Sequence, residues 1–319
     1  MKRLSRWVNK MYVFIINPIA GNGRAKKAYN KIKTSALYSQ IKKEIYITEY
    51  KGHGKEIIEK IRSRDLRAIK SIIVIGGDGT IHEVANGLSQ FPVNLAFIPG
   101  GSGNDFARGC KIKENPVTLF ENIVKGKGKI KYWLGKSRVD GEVKRFVNNL
   151  GIGFDAEVAD KANKARYKGF LSKLGLGNIS YLFALIQMLF LFKPKNIKIS
   201  YDGKERLIKN CWMITVSNHP YFGGGMKIIP NAKIQPDAFP ILIIHSISKW
   251  KVLALFLTVF TGKHLKYKEV ELFETKAIHI LAENKIYYHA DGESSMCTQL
   301  TVKKQEEHLN ILGSGYSTD

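Results

Sequence analysis

The stretch SIIVIGGDGTIHEVANGL (71–88) decides the fold. It joins an apolar, β-branched run at 71–76 to a helical pattern at 81–90 through the glycine-rich loop GGDGT (76–80). A buried strand that ends in glycines and leads into a helix is the repeating unit of a parallel α/β sheet. Glycines let the main chain wrap around phosphate groups, and the carboxylate of Asp78 is expected to face a magnesium ion or its waters. The stretch therefore predicts a nucleotide-binding strand, loop and helix.

The same alternation continues on both sides of this unit. It predicts further strands and helices at 11–16, 24–39, 43–50, 55–62 and 94–99. From about residue 129 the pattern changes to short apolar runs separated by Gly and Asn, which is typical of an antiparallel sandwich or barrel. A length of 319 residues suits two domains. We therefore predict an α/β, Rossmann-like nucleotide-binding domain at 1–128 and an antiparallel β-sandwich domain at 129–299.

Charge and cysteine content narrow the functional classes. The chain has 51 basic and 27 acidic residues and a formal net charge of +24, which predicts an anionic partner: phosphate, anionic lipid or nucleic acid. No helix-turn-helix, zinc-finger or RNP-like signature accompanies the charge, so we expect no nucleic-acid partner. The three cysteines form no CxxC pair, and the N-terminal apolar run is too short for an export signal. A reducing cytoplasm is the expected compartment.

Two apolar stretches bear on membrane contact. ISYLFALIQMLFLF (179–192) and WKVLALFLTVF (250–260) are both shorter than the roughly 20 residues needed to cross a bilayer. Each is interpreted as a core helix or, alternatively, as a helix lying in the membrane interface. The flanking residues Lys193, Lys195, Lys249 and Lys251 keep the second interpretation open.

Two further loops carry groups suited to phosphate binding. In NPIAGNGRAKK (17–27), Gly21 and Gly23 allow backbone amides to approach a phosphate at the start of a helix, although an ordinary strand-to-helix turn would have the same composition. In PGGSGNDFARG (99–109), a hydroxyl, an amide and a carboxylate are available close together, from Ser102, Asn104 and Asp105.

HADGE (289–293) is the fourth loop of interest. Asp291 and Glu293 are two residues apart and share one face of an extended segment. Phosphoryl transfer to an alcohol needs a base near the hydroxyl, which Asp291 would supply, while Glu293 would hold metal-bound water. A simple β-turn with Asp-Gly at its centre explains the same residues equally well.

In this order, NPIAG, GGDGT with IHEVANGL, PGGSGNDFARG, NLGIGFDAEV, VSNHPYFGGGMKIIPNA and HADGE resemble the catalytic domain of diacylglycerol kinases, sphingosine kinases and their soluble bacterial relatives over nearly the whole chain. NAD kinases and phosphofructokinases resemble the chain only in the first loops. The resemblance implies a phosphofructokinase-like ATP-binding domain, a β-sandwich domain for the lipid substrate, ATP in the cleft between them, and a tail at 300–319 that returns to the first domain. It implies transfer of the γ-phosphate of ATP to a lipid hydroxyl, with diacylglycerol as the favoured acceptor and phosphatidic acid as the product.

The resemblance also implies roles for individual residues. Asp291 would be the catalytic base and Glu293 its partner, and Asp78 and Asp105 would serve Mg²⁺. ATP would be bound by Asn17, Pro18, Gly21, Thr48, Gly76, Gly77, Asp78, Gly79, Thr80, Glu83, Gly101, Ser102, Asn104 and Asp105. The implied partner is a lipid at an anionic membrane surface, which would place the protein peripherally on the inner face of the membrane. A homodimer is a further possibility.

Two departures from the family pattern leave alternatives open. After PNA, the bacterial relatives are expected to carry a second Asp that completes a structural metal site, but here Asp237 is followed by Ala238, Phe239 and Pro240. That site is therefore expected to be lost or replaced by packing. Trp133 occupies the position where an acid is expected before Leu-Gly. The alternatives are a catalytically weak relative that binds nucleotide and membrane, and a kinase for another long-chain alcohol such as a sphingoid base.

Overall fold

The computed structural model describes residues 10–64, 66–88, 93–164 and 187–316. The chain divides into two compact units, one formed by 1–133 with 307–319 and the other by 134–306. The sequence pattern had suggested boundaries after residues 128 and 299.

The first unit is built on a parallel sheet. Its strands are β1 (Met11–Ile16), β2 (Lys43–Ile47), β3 (Ile69–Gly76) and β4 (Asn94–Pro99), with the last residues of β15 (Glu293–Leu312). The order is β2-β1-β3-β4-β15, and every pair is parallel. Strand β3 is buried along its whole length, as expected for a parallel strand covered on both faces.

Helices connect these strands. They are α1 (Ala20–Ile32), α2 (Ala36–Gln40), α3 (His53–Arg62), α4 (Asp78–Leu88), α5 (Asp105–Gly109) and α6 (Pro116–Val124), with a 3₁₀ turn at Leu66–Ala68. The single helix predicted at 24–39 is in fact two helices. The break has a local cause, because Ser35 adopts an extended conformation before α2 and the Thr34 hydroxyl donates to the carbonyl oxygen of Lys31. The βα alternation predicted for this region is confirmed.

The second unit is antiparallel. Its strands are β5 (Ile130–Val139) from Leu134 onward, β6 (Glu142–Phe146), β7 (Asn149–Gly153), β8 (Lys195–Tyr201), β9 (Lys204–Ser217), β10 (Tyr221–Phe222), β11 (Met226–Lys227), β12 (Phe239–His245), β13 (Val270–Thr275), β14 (Ala277–Ala290) and the first part of β15. The main order is β13-β12-β9-β7-β14-β15, while β8 pairs with β9 and β14. Helices α7 (Phe154–Lys164) and α8 (Lys249–Thr258) and a 3₁₀ turn at Lys263–Lys266 complete the described part.

Side chains on both faces of this antiparallel sheet are buried. Along β12, Ile241 and Ile243 belong to one apolar cluster, whereas Leu242 and Ile244 belong to another that also contains Leu255 of α8. Because successive side chains of a strand point to opposite faces, the alternation means that the sheet is covered on each side. The predicted sandwich-like second domain is confirmed.

The two apolar stretches can be compared with the structure only in part. Residues 179–186 lie outside the described residues, while 250–260 forms α8 and its C-terminal extension. Within the part of the chain that the structure describes, no helix is long and apolar enough to span a bilayer.

Candidate active site

The loops singled out in the first unit all leave the carboxyl ends of its parallel strands. Asn17 follows β1, Thr48 follows β2, Asp78 lies just beyond β3, and the segment 100–105 follows β4. In an open α/β sheet this edge is where ligands bind. The structure therefore brings most of the sequence-predicted ATP residues to one edge of one sheet.

The loop after β1 has an unusual backbone. Gly21, Asn22 and Gly23 are consecutive left-handed residues with φ of 58°, 56° and 83°. A Cβ atom on Gly21 would lie 2.2 Å from the carbonyl oxygen of Gly100, so only glycine fits there. Arg24 joins the loop after β1 to the loop after β4. Its Nε donates to the carbonyl oxygen of Gly21 (3.0 Å), and its Nη2 donates to Oγ of Ser102 (3.3 Å).

The loops after β3 and β4 also touch through their backbones. The amide of Gly100 donates to the carbonyl oxygen of Gly76 (2.7 Å), and a Cβ atom on Gly101 would lie 2.5 Å from Cα of Gly77. The Asn104 side chain bridges both backbone groups of Gly101, accepting at 2.9 Å and donating at 3.0 Å. Gly101 is therefore required by the close approach of two main chains.

One buried polar atom in this unit is suited to a bound ligand. Nδ2 of Asn17 donates to Oγ1 of Thr80 (3.2 Å), but Asn17 Oδ1 is buried without a hydrogen-bond partner among the described residues. Buried polar atoms are normally paired, so an unpaired one needs an explanation. A bound molecule with a donor group would satisfy it.

The two acidic residues of this edge differ in their surroundings. Oδ1 of Asp78 accepts a hydrogen bond from the amide of Phe106 (3.0 Å), while Oδ1 of buried Asp105 forms an ion pair with Arg108 (2.8 Å). Burial, followed by the like charge of Asp105, raises the pKa of Asp78 to about 6 against the backbone hydrogen bonds that lower it. A cation beside this carboxylate would relieve the cost of its charge.

Several predicted ATP residues contact backbone rather than open space. Oε1 and Oε2 of Glu83 accept the amides of Gly52 (2.7 Å) and Gly54 (2.9 Å), which holds the start of α3. Thr48 is buried, and both its amide and its hydroxyl donate to the carbonyl oxygen of Ile16. Pro18, in the loop after β1, is half-buried, and Gly79, in the first turn of α4, is exposed.

In the second unit, Asp291 occupies a tight hairpin between β14 and β15. Asp291 and Gly292 have φ of 49° and 86°, the backbone of a two-residue turn with positive φ at both positions. The interpretation as a β-turn is thus correct for the backbone. The side chain has a further role: Oδ2 accepts the amide of Val147 (2.6 Å), and Oδ1 accepts those of Asn148 (2.8 Å) and Asn149 (3.1 Å).

Comparison with two other Asp-Gly hairpins of this unit shows what is special about Asp291. Asp140 precedes Gly141 and Asp202 precedes Gly203, with φ of 46° and 47° at the two aspartates. Both of these aspartates are exposed, and Asp202 accepts a hydroxyl hydrogen bond from Thr275 (2.8 Å). Asp291 is instead half-buried and held by the backbone amides at the start of β7. The turn alone does not require such an arrangement.

A buried polar network supports the three amides that hold Asp291. Asn218 Nδ2 donates to the carbonyl oxygen of Val147 (2.8 Å), and Lys304 Nζ donates to Asn218 Oδ1 (2.6 Å). His219 Nε2 lies 2.9 Å from Asn148 Oδ1. Because His219 Nδ1 accepts the amide of Tyr221, its Nε2 carries the proton and donates to Asn148. Burial lowers the pKa of His219 to about 4, so this imidazole is neutral at physiological pH.

Sequence reasoning did not identify this network. Its amide side chains lie in the quoted motifs NLGIGFDAEV and VSNHPYFGGGMKIIPNA or next to them, at strand ends where an Asn is easily taken for a turn residue. Lys304 gave no sequence signal, since it is one of many lysines. Only its burial, at 8% exposure, distinguishes it.

His289 fixes the hairpin from another direction. Its Nε2 lies 3.3 Å from Oδ2 of Asp155, and both residues are buried. Its Nδ1 accepts the amide of Gly292 (3.3 Å). Glu293, the predicted partner of Asp291, is exposed at the first position of β15. His289 thus anchors the turn that carries Asp291.

The two departures from the family pattern occupy packing positions. Trp133 is half-buried with its ring 5.7 Å from the imidazole of His308, both in the first unit. Phe239 is fully buried in the second unit, with its ring 5.7 Å from that of Phe146. Among the described residues, no three or more His, Cys, Asp or Glu side chains are grouped so as to hold a metal ion.

Together, glycine-rich loops at the ends of parallel strands and a carboxylate fixed on an antiparallel unit define a two-domain phosphotransferase. Comparison with family models identifies it further. Residues 11–131 match the diacylglycerol kinase catalytic domain, and residues 148–313 match the YegS C-terminal NAD kinase beta sandwich-like domain. The chain therefore belongs to the family of diacylglycerol kinases and YegS-like lipid kinases, and it is an ATP-dependent lipid kinase.

Individual relatives agree with this assignment. The chain is 32% identical over 310 residues to the Bacillus subtilis (strain 168) protein named "Putative lipid kinase YtlR", covering 94% of this chain and 98% of that protein. It is 26% identical to a diacylglycerol kinase of Mycobacterium tuberculosis, with 93% of each covered. The solved structure titled "Crystal structure of a putative diacylglycerol kinase from Bacillus anthracis str. Sterne" is similar at 26% identity with a TM-score of 0.75, covering 97% of this chain and 98% of that one.

Proposed function

We propose that this lipid kinase transfers the γ-phosphate of ATP to the free hydroxyl of diacylglycerol and forms phosphatidic acid. The observation that carries the proposal is the carboxylate of Asp291, which three backbone amides hold in one orientation. The name of the Mycobacterium tuberculosis relative supports diacylglycerol as the acceptor. The shape of the lipid pocket decides between this acceptor and a sphingoid base.

Asp291 acts as the general base in this proposal. Its carboxylate accepts the proton of the lipid hydroxyl while the hydroxyl oxygen bonds to the γ-phosphorus, and the bond from that phosphorus to the β,γ-bridging oxygen breaks to release ADP. Most of the catalytic gain in phosphoryl transfer comes from positioning and electrostatics. The amides of Val147, Asn148 and Asn149 hold the carboxylate of Asp291 in place, so the base is already positioned before the reaction begins.

The first unit binds the nucleotide in this proposal. The backbone at Gly21–Gly23 and the touching loops after β3 and β4 offer amides to the phosphates, and Asn17 Oδ1 accepts a donor group of the nucleotide. Asp78 and Asp105 suit a cation that takes its remaining ligands from phosphates and water, which is how Mg²⁺ is usually held. When bound, Mg²⁺ offsets the negative charge of the β- and γ-phosphates.

The substrate also suggests where the enzyme works. Diacylglycerol lies in membranes, and the net charge of +24 favours an anionic lipid surface. We propose peripheral association with the cytoplasmic face of the membrane and no nucleic-acid partner.

Transfer of label from γ-labelled ATP to lipids in mixed micelles tests the proposal. The acceptors are diacylglycerol, ceramide and a sphingoid base, and the proteins are wild type, Asp291→Asn and Asp140→Asn. Asp140 is the matched control, because it occupies the same kind of Asp-Gly turn but is exposed. We expect diacylglycerol to be labelled, with kcat/KM about 10²- to 10⁴-fold lower in Asp291→Asn and changed less than about twofold in Asp140→Asn.

Other results would contradict separate parts of the proposal. Full activity in Asp291→Asn would place the base elsewhere. Labelling of the sphingoid base in preference to diacylglycerol would reject the acceptor but keep the base. No labelling of any lipid by wild type would favour the nucleotide- and membrane-binding relative suggested by Trp133.

A further inference from the structure

Helix α8 is apolar on two opposite faces. It begins after Ser248, whose Oγ accepts the amide of Lys251, and one face packs Leu255 and the following Val259 into the core. Trp250, Ala254 and Leu257 follow each other at spacings of four and three residues, so they share another face. Trp250 is 72% exposed and Leu257 is 74% exposed. A solvated helix usually carries polar residues on its outer face, and this helix does not.

Neighbouring exposed residues extend this face. The ring of Phe190 packs edge-on against that of Trp250, with 6.1 Å between centroids, and Lys249 Nζ donates to the carbonyl oxygen of Phe190 (2.6 Å). Leu191 adjoins Phe190, and Phe260 follows Leu257 by three residues. All are more than half exposed, so they form with α8 an apolar face made of Phe190, Leu191, Trp250, Leu257 and Phe260.

Such a cluster differs from ordinary surface composition. Single exposed apolar residues are common and need no explanation, whereas several large ones side by side mark an interaction surface. Three of the five are aromatic, and aromatic rings, Trp above all, are favoured at the boundary between lipid and water. The apolar face therefore has the composition of a surface that is covered during function.

The charged residues in the sequence regions that form the apolar face favour an anionic partner. No Asp or Glu occurs between Asp160 and Asp202 or between Asp237 and Glu269, the two sequence regions that supply the face. The same two regions of sequence carry exposed lysines instead, namely Lys193, Lys249, Lys251, Lys263, Lys266 and Lys268. Among them, Lys251 also forms an ion pair with Glu269 (2.7 Å).

A second copy of the chain is a poorer partner than a membrane. In a symmetric dimer the same patch meets itself, which would bring the flanking lysines of both copies together and cost energy by like-charge repulsion. An anionic bilayer instead supplies negative headgroups at the level of the lysines and acyl chains below them.

We propose that the apolar face of α8 and its neighbours docks the enzyme on anionic lipid bilayers. Trp250 and Leu257 enter the boundary between headgroups and acyl chains, and the surrounding lysines contact the headgroups. Docking would bring the enzyme to its lipid acceptor, and this purpose rests on the proposed function.

Vesicle binding by the full chain tests the docking surface. Vesicles of phosphatidylcholine with phosphatidylglycerol are titrated into wild type, the double variant Trp250→Ser/Leu257→Ser and the control Leu207→Ser. Leu207 is also more than half exposed, at 56%, but lies on β9. We expect binding to weaken at least about tenfold in the double variant and to stay within about twofold in the control, since partitioning follows the apolar area inserted.

Two further measurements make the result decisive. Phosphatidylcholine brominated in its acyl chains should quench tryptophan emission in wild type and clearly less in Trp250→Phe, because only an inserted indole is reached. Activity towards a short-chain, water-soluble diacylglycerol should be unchanged in the double variant. Loss of vesicle binding with normal soluble turnover supports docking, and the same loss in a chain that phosphorylates no lipid supports docking while rejecting the proposed function.

Unchanged vesicle binding in the double variant, or equal quenching in wild type and Trp250→Phe, would overturn the docking proposal. A wild-type dimer in sedimentation that the double variant dissociates, with vesicle binding intact, would assign the apolar face to a second copy instead.

Discussion

A single residue type in a single kind of turn serves different purposes in this protein. Asp140, Asp202 and Asp291 all precede a glycine in hairpins with positive φ. Only the surroundings distinguish Asp291, whose carboxylate is held by the amides of Val147, Asn148 and Asn149. Sequence reasoning therefore identified Asp291 as a candidate but had no means of choosing between a base and a turn. The choice depends on a strand more than 140 residues away in the chain.

Lys304 is a buried lysine whose pKa differs from that of a lysine in the unfolded chain. It is 8% exposed, donates to Asn218 and lies 4.3 Å above the ring centre of Phe239. Burial lowers its pKa from 10.5 to about 7. Between these two values the unfolded chain binds the proton and the folded chain does not. Because stability rises with pH wherever the unfolded state binds more protons, this residue makes folding more favourable as pH rises from about 7 to 10.

We therefore expect the unfolding free energy of wild type to rise relative to Lys304→Met across this pH range. The slope of the difference should approach about 1.4 kcal/mol per pH unit, the value for one proton. Urea unfolding at several pH values measures it, and Lys303→Met is the control because Lys303 is an exposed neighbour. Parallel pH profiles for wild type and Lys304→Met would mean that the folded and unfolded chains protonate Lys304 alike.

At the scale of elements, the strands of the first unit were predictable and the connections between loops were not. Strands β1 and β4 coincide with the predicted ranges 11–16 and 94–99, because unbroken apolar runs bounded by turn residues have few alternatives. The link from α4 to α3 is different. Glu83 was expected to contact ATP, but its two oxygens accept the amides of Gly52 and Gly54.

These contacts predict that Glu83 acts through the start of α3. Glu83→Gln removes the charge and one acceptor, so we expect a loss of about 1–2 kcal/mol in stability and faster hydrogen exchange at Gly52 and Gly54. The affinity for ATP should fall only as far as this loop is loosened. Glu56→Gln, in the exposed first turn of α3, is the control. A large loss of ATP affinity with normal exchange at Gly52 and Gly54 would instead indicate direct contact with the nucleotide.

At the scale of the whole molecule, the end of the chain completes the sheet of the first unit. Asn310, Ile311 and Leu312 pair in parallel with Asn94, Leu95 and Ala96 of β4. Ile311 and Leu312 are buried, and the amides of Gly313 and Ser314 donate to the carbonyl oxygens of Lys127 and Gly128. A contribution from so distant a part of the chain is invisible to local sequence patterns.

Removal of 307–319 should therefore damage the first unit selectively. It exposes one edge and the side chains of β4, so we expect ATP binding to be lost and hydrogen exchange at 94–99 to accelerate by at least about tenfold. Exchange at 211–217 in β9 should change little. A chain shortened only by 317–319 is the control. Equal acceleration in β4 and β9 would show that the two units unfold together.

The sequence by itself determined the class of fold, the positions of the glycine-rich loops and the membership of a lipid kinase family. It does so because glycine-rich turns after apolar strands are local patterns, set by backbone sterics and by alternation of burial. Tertiary structure alone decided which aspartate is held by backbone amides, that Lys304 and His289 support it, and that an apolar face of α8 remains exposed. These properties depend on burial and on hydrogen bonds between residues far apart in the chain, which no local pattern encodes.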